Sequence, residues 1–308
     1  MIRQLNKFGI NFGTAALVTS LVFLGACATD KHPSDEDVTE ETADISEEAK
    51  NFGEEIQKSD KVFYTIPSPL ELTSIIKKAG AKYDNSVLNS TKNISNYVTQ
   101  TSMALNLGVY GADLSYASIF EQTQETMHYF AAAKKLADDL GISAAFGEST
   151  ITRVQTNLNN RDSLVAIISD SYWETDAYLK ENKRSSTSGL VIAGGWIEGL
   201  YISTKLAAKT EDNKEIVTRI GEQKLTLSNL TAMLNNFQDP EVEDVVKDLD
   251  ELKKVYEGVE ITYNRQPPTT DAETKVTTLN TTSTINITED QLAAISEKID
   301  AIRSKIVK

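Results

Sequence analysis

The chain has 308 residues with a formal net charge of −14 at pH 7, and hydrophobic residues make up 40% of it. This apolar content is typical of a globular protein, and the length suits one large or two small domains. The acidity argues against a nucleic-acid partner, because neutralising phosphates requires clustered Lys and Arg. The single cysteine, Cys27, excludes an intrachain disulfide.

Residues 1–26 have the layout of a cleavable export signal. A cationic stretch precedes an apolar run from Ala15 to Leu24, which at ~10 residues is too short to span a bilayer. The run ends in Leu24-Gly25-Ala26-Cys27, which resembles the lipobox of bacterial lipoproteins. That resemblance implies cleavage before Cys27, diacylation of its sulfur and acylation of the new amino terminus. We expect a lipid anchor in the bacterial cell envelope, in the outer membrane, with the protein on either the periplasmic or the surface face.

Residues 27–58 are predicted to be the lipidated cysteine followed by an acidic, flexible tether. Between residues 28 and 58 there are eleven acids and three lysines, a net charge of −8. Such a run is typically solvated and either disordered or loosely helical. Because acidic residues are not drawn to anionic lipid, the expected membrane contact is the N-terminal lipid alone.

Residues 59–258 are predicted to form a helical domain. Ser68-Pro69 predicts a helix start, since a capping residue is followed by proline at the first helical position. A long helical stretch is expected over about 84–140, broken near Gly108 and Gly111. Further helices are predicted to begin at Asn160 and Ser185.

The segment 213–258 is predicted to be an antiparallel helical hairpin. Apolar residues step by three, four or seven on both sides of Asp239-Pro240, which favours coiled-coil-like packing. Residues 259–308 follow as two short strands, Val259–Tyr263 and Thr282–Thr288, and a C-terminal helix packed on the same domain. The expected fold is mostly α: a helical bundle or array with a small two-strand β element before the C-terminal helix.

Two phrases in the helical domain carry a further resemblance. They are Ala-Leu-Asn-Leu-Gly-Val-Tyr-Gly-Ala-Asp-Leu over 104–114 and Ile-Ala-Gly-Gly-Trp-Ile-Glu-Gly-Leu over 192–200. On these phrases most of 60–258 resembles uncharacterised helical lipoproteins of Bacteroidota, which implies no activity. An offset of 86 residues also places Gly108 on Gly194, which either marks a duplicated helical pair or arises by chance.

Glu198 conflicts most with its surroundings. It is the only charged residue between positions 190 and 203, in a helix apolar on nearly all sides, and an unpaired buried carboxylate is costly or stays protonated. Nearby glycines are also unfavourable in a helix unless a close approach needs them. Glu198 therefore either faces a ligand, with the glycines making room, or is buried and hydrogen-bonded to a helix end, a tyrosine or Arg153.

Acidic and aromatic residues on other helices give further candidates. Tyr110 and Asp113 fall on one polar stripe opposite an apolar one, so the stripe either faces solvent or lines a cleft. Trp173 and Glu174 are adjacent, and aromatic walls with carboxylates can hold a sugar, a peptide or a cation, although buried aromatics also serve helix packing. The candidate ligand-binding residues are Tyr110, Asp113, Trp173, Glu174, Trp196 and Glu198.

Motifs for metal, nucleotide and nucleophilic chemistry are incomplete in the sequence. Glu125 and His128 match one Glu-x-x-His element of di-iron bundles, but the only other histidine, His32, lies in the tether. No Gly-rich phosphate loop precedes a helix, and no Ser-His-Asp set can be assembled. We therefore expect no metal, no cofactor and no catalytic residue.

Our first hypothesis is a non-catalytic lipoprotein whose helical domain binds a small molecule, a glycan or a protein partner. The alternative is a hydrolase-type enzyme that uses Asp113, Glu198 or Glu174 as acid and base. Two carboxylates converging in an open cleft would favour the enzyme, and a closed core around Glu198 would favour packing. A third hypothesis is a structural scaffold in which the hairpin 213–258 pairs with another chain through exposed heptad positions.

Overall fold

The computed structural model of the chain describes residues 69–143, 148–265, 269–270, 277–278 and 281–308. The predicted signal peptide, the lipidation site Cys27 and the acidic tether lie outside the described residues. Helices dominate the described part, and they are α1 (Pro69–Lys78), α2 (Gln100–Ile119), α3 (Thr123–Asp139), α4 (Glu148–Thr156), α5 (Arg161–Glu181), α6 (Ser185–Ala207), α7 (Lys214–Asn236), α8 (Pro240–Tyr256) and α9 (Glu289–Ile306).

A small β element precedes the C-terminal helix, as predicted. Its strands are β1 (Glu260–Arg265), β2 (Thr269–Thr270), β3 (Thr277–Thr278) and β4 (Thr281–Asn286). β1 pairs antiparallel with β4, with Glu260 opposite Asn286, and β2 pairs antiparallel with β3. The predicted fold class, mostly α with a small two-strand element before the last helix, is confirmed.

The centre of the domain is the crossing of α2 and α6, which are buried along most of their lengths. A Cβ atom on Gly108 would lie 2.0 Å from the carbonyl oxygen of Val191, and one on Gly194 would lie 2.0 Å from that of Leu105. The two backbones therefore approach too closely for any side chain at either glycine. A shift of 86 residues places Leu105 on Val191 and Gly108 on Gly194. The Gly108–Val191 contact and the Leu105–Gly194 contact therefore lie at equivalent positions under this shift.

The helix break predicted near Gly108 and Gly111 is wrong. α2 runs without interruption through both glycines, and the chain turns instead at Glu121, whose φ is 60°. The predicted start near residue 84 is also wrong, because two short 3₁₀ turns precede α2 and Thr99 caps it in a capping box with Ser102. A glycine costs a helix about 1 kcal/mol, which the close α2–α6 packing offsets at Gly108.

The helical hairpin formed by α7 and α8 is confirmed. Asp239 caps α8 with Pro240 at its first position, as the sequence predicts. Its apolar seam is buried within the monomer, with Leu227, Leu234 and Leu249 fully covered. The seam therefore presents no exposed heptad face in the described structure, and it gives the scaffold hypothesis no support.

The C-terminal helix α9 closes one side of the domain, where it packs against α6, α8 and α2. Its apolar residues Ile295, Ile299 and Ile302 are buried. The side-chain amide of Asn106 donates a hydrogen bond of 2.8 Å to the carbonyl of Ile306, which binds the end of α9 to α2. Among the described helices, none is both long enough and apolar enough to cross a membrane.

Candidate functional site

Glu198 lies in the closed core, with none of its surface exposed. Arg303 of α9 binds both of its carboxylate oxygens, with Nε 2.9 Å from Oε2 and Nη2 2.9 Å from Oε1. This two-pronged geometry is the strongest that a carboxylate makes with arginine. Of the three alternative partners predicted from the sequence, a helix end, a tyrosine or Arg153, the last is wrong, because Arg153 pairs with Asp170 at 2.8 Å on the surface.

The guanidinium of Arg303 is itself enclosed by protein. Its side chain is 12% exposed, and its Cζ lies 4.4 Å from the centre of the Tyr201 ring. Nη2 also lies 3.4 Å from the carbonyl oxygen of Val87. The cation–π contact and the hydrogen bonds together satisfy the charge pair with protein groups.

Asp113 of α2 lies beside Glu198 and is also fully buried. Its Oδ2 accepts a hydrogen bond from the backbone N–H of Asn89 at 3.1 Å, while Oδ1 has no donor directed at it among the described residues. Burial, followed by the negative charge of Glu198, raises the pKa of Asp113 well above its ordinary value. A proton on Asp113 would be donated to Glu198, which leaves one negative charge facing Arg303.

The predicted aromatic candidates Tyr110 and Trp196 serve helix packing. Tyr110 is buried, its hydroxyl donates to the carbonyl of Ser90 at 2.9 Å, and its ring packs against those of Tyr97 and Tyr129. Trp196 is buried on the side facing α7, where its indole N–H donates to Gln223 at 2.9 Å. The structure thus brings Tyr110, Asp113 and Glu198 into one core region, and Trp196 packs elsewhere.

Trp173 and Glu174 are not brought to this cluster. Both are exposed on α5, with Trp173 39% exposed. The neighbouring Asp176 turns inward, where it pairs with Lys180 at 2.9 Å and accepts a hydrogen bond from Ser188 of α6 at 2.5 Å. This second buried ion pair lies within α5, and the hydrogen bond from Ser188 joins it to α6.

Several asparagines that the sequence reading overlooked complete the polar core. The side-chain amide of Asn89 donates to the Tyr97 hydroxyl at 3.0 Å, and that of Asn93 donates to the Asn89 carbonyl oxygen at 3.0 Å. Asn93 also reaches the carbonyl of Val307 at 3.2 Å. The sequence does contain one sign of this polar core, because Asn106 lies in an apolar run just as Asp113 does.

Glu125 and His128 lie on the surface of α3. The Nδ1 atom of His128 is 3.9 Å from Oε2 of Glu125, and its side chain is 64% exposed. Within the described ranges, no group of three or more His, Cys, Asp or Glu is placed to hold a metal ion. The pair makes at most a weak surface contact.

An apolar cavity of about 60 Å³ lies where α2 to α6 meet. Its walls include Leu114, Phe130, Val154 and Ile167. Gly111 of α2 lines it, and a Cβ atom there would have nothing within 4 Å. The chain therefore leaves space at this glycine, in contrast to the tight contact at Gly108.

Comparison of the chain with family models, with curated proteins and with solved structures gives no match. The described residues form two distinct features: a closed cluster of Asp113, Glu198 and Arg303, and the apolar cavity beside Gly111.

Proposed function

We propose that this chain is an envelope lipoprotein, anchored through Cys27, whose helical domain binds a ligand without catalysing a reaction. The closed Glu198–Arg303 pair is the observation that carries the proposal. General acid or base catalysis needs a group within about 2.6–3.2 Å of the proton it moves. Glu198 has both oxygens bonded to Arg303 and no exposed surface.

The other acidic candidates support the same conclusion. Asp113 and Glu198 both lack exposed surface, so a substrate in solvent does not contact either carboxylate. Glu174 is exposed on α5, away from the closed cluster. The enzyme hypothesis requires two carboxylates in an open cleft, and the converging pair, Asp113 and Glu198, lies in a closed core.

Two observations support the binding and the anchor. The cavity beside Gly111 is a concave space of about 60 Å³ lined by uncharged residues, several of them half-buried. The anchor rests on the sequence Leu24-Gly25-Ala26-Cys27 after a cationic and apolar leader. Lipid-borne attachment also suits the charge of −8 on residues 28–58, because an acidic spacer holds the domain off an anionic membrane.

Metabolic labelling with a clickable palmitate tests the anchor. We expect label on the wild-type chain and none on Cys27→Ser, because Cys27 carries the only thiol. Thr29→Ser is the matched control, since it makes an equally small change two residues away and keeps the cysteine. Equal labelling of wild type and Cys27→Ser would refute lipidation at Cys27.

A further inference from the structure

The cavity beside Gly111 identifies the chemistry of the ligand. We propose that it holds a segment of an unbranched hydrocarbon chain, with any polar end of the ligand outside. This inference rests on the proposed binding function and names its ligand class. The walls, the size and the opening of the cavity support it.

The walls offer little to a polar ligand. None of the described residues that line the cavity is charged. Five lining residues carry a hydroxyl, and those of Ser115, Ser171 and Thr175 are bonded to carbonyls of their own helices at 2.8, 2.8 and 2.7 Å. The other two, Ser169 and Tyr172, are half-buried residues of α5. A water molecule needs two to four polar partners to settle in a cavity, so this space suits apolar groups.

The size favours a chain over a ring. The cavity is about 60 Å³, less than half of an engineered apolar cavity of about 150 Å³ that binds benzene. A row of methylene groups is thinner than an aromatic ring and fits the smaller space. Glycine at position 111 keeps the space open, because any larger side chain there would project into it.

The cavity also reaches the surface. Gly111, Ile168, Ser169 and Tyr172 line it and are half-buried, whereas most of the other lining residues are buried. A ligand can therefore place its chain inside and its polar end in solvent. The absence of charge from the lining residues means that the polar end is not recognised within the cavity.

A photoreactive fatty acid tests this in the full-length chain. Cells producing the protein are fed a clickable palmitate with a diazirine along its chain, irradiated, and the adducts are mapped by mass spectrometry. We expect UV-dependent adducts on peptides of α2 and α5 in the wild type, and their loss in Gly111→Leu, which fills the cavity. The adduct mass distinguishes a free fatty acid from an esterified lipid as the source of the chain.

The control variant is Gly199→Ala, a helical glycine on α6 outside the cavity, which should keep the adducts. If Gly111→Leu fails to accumulate, Gly111→Ala replaces it and should reduce the adducts in part. The proposal is overturned if the wild type has no UV-dependent adduct on α2 or α5, or if filling position 111 leaves it unchanged. Acylation of Cys27 is independent of UV, so a chain that is acylated there but lacks the internal adduct refutes the ligand class and leaves the anchor intact.

Discussion

Arg303 on the last helix binds both carboxylate oxygens of Glu198, which precedes it by 105 positions, at 2.9 Å each. This contact explains why a carboxylate lies in the apolar helix α6. An isolated carboxylate in an apolar helix suggests chemistry, whereas one bonded twice to a largely enclosed guanidinium is satisfied by the fold. The contact also makes α9 part of the core.

The first prediction concerns Arg303→Lys, which keeps the positive charge but loses the two parallel N–H donors of the guanidinium. A lysine cannot bond both oxygens of Glu198 in this geometry, so we expect a loss of roughly 1.5–3 kcal/mol in the free energy of unfolding. Urea titration measures it. Arg153→Lys is the matched control: the Arg153–Asp170 pair is 46% and 51% exposed and should change by less than about 0.5 kcal/mol. Equal effects at the two sites would contradict a special role for the buried pair.

The second prediction is a pH dependence due to Asp113. Its pKa in the folded chain is raised above the ordinary value of 3.8, first by burial and then by Glu198. At pH values between the ordinary pKa and the raised pKa of Asp113, the folded chain holds more protons than the unfolded chain. The free energy of unfolding therefore falls as the pH rises through this interval. Asp113→Asn cannot titrate and still offers a donor to Glu198, so its stability should fall less over the same interval.

Urea titrations at a series of pH values from about 4 upward provide the test. Asp248→Asn is a useful comparison, because that carboxylate pairs with Lys305 at the surface. If the slope of stability against pH were the same for wild type and Asp113→Asn, the proton would not belong to Asp113.

The third prediction concerns the helix crossing. In Gly194→Ala the new Cβ would lie 2.0 Å from the carbonyl oxygen of Leu105, a backbone atom that cannot move alone. The helices must separate, and we expect a loss of about 1–3 kcal/mol or more in the free energy of unfolding. Thermal unfolding followed by circular dichroism measures it. A melting temperature at or above that of the wild type would show that α2 and α6 do not cross at this glycine.

The fourth prediction is the opposite outcome for the same substitution at Gly111. A Cβ there meets nothing within 4 Å, and alanine is favoured over glycine in a helix by about 1 kcal/mol. We expect Gly111→Ala to melt higher than the wild type, with lower occupancy of the cavity. A lower melting temperature of the ligand-free chain would mean that a Cβ atom at position 111 does meet a neighbour, contrary to the described packing.

Local patterns predicted much of the fold. Caps predicted the helix starts at Asn160 and Asp239-Pro240, and periodicity predicted the strands β1 and β4; both signals act over a few residues. The helix beginning at Ser185 was predicted from its apolar composition, since no side chain caps it. The break expected in α2 failed because the need for glycine at 108 comes from α6. Propensity alone does not register a partner more than 80 residues away.

The candidate site was predicted only in part. Burial of Glu198 follows from its apolar helix, but its partner does not, since periodicity identifies a face and not the residue opposite it. A signal for Arg303 does exist, because it lies four residues after Ile299 and three before Ile306, on the apolar stripe of α9. The cavity had no such signal, because empty space depends on how five helices pack.

A double-mutant cycle between Glu198 and Arg303 tests the central claim, that this carboxylate serves the fold and not a reaction. We expect Glu198→Leu and Arg303→Met each to lower the free energy of unfolding, Arg303→Met by about 3–5 kcal/mol, since it leaves a charge buried without a partner. The double variant should recover most of the loss, and the recovery measures the coupling. The contradicting result is a Glu198→Leu variant that is more stable than the wild type, together with additive effects of the two substitutions. Glu198 would then lower the stability of the fold, as functional carboxylates often do.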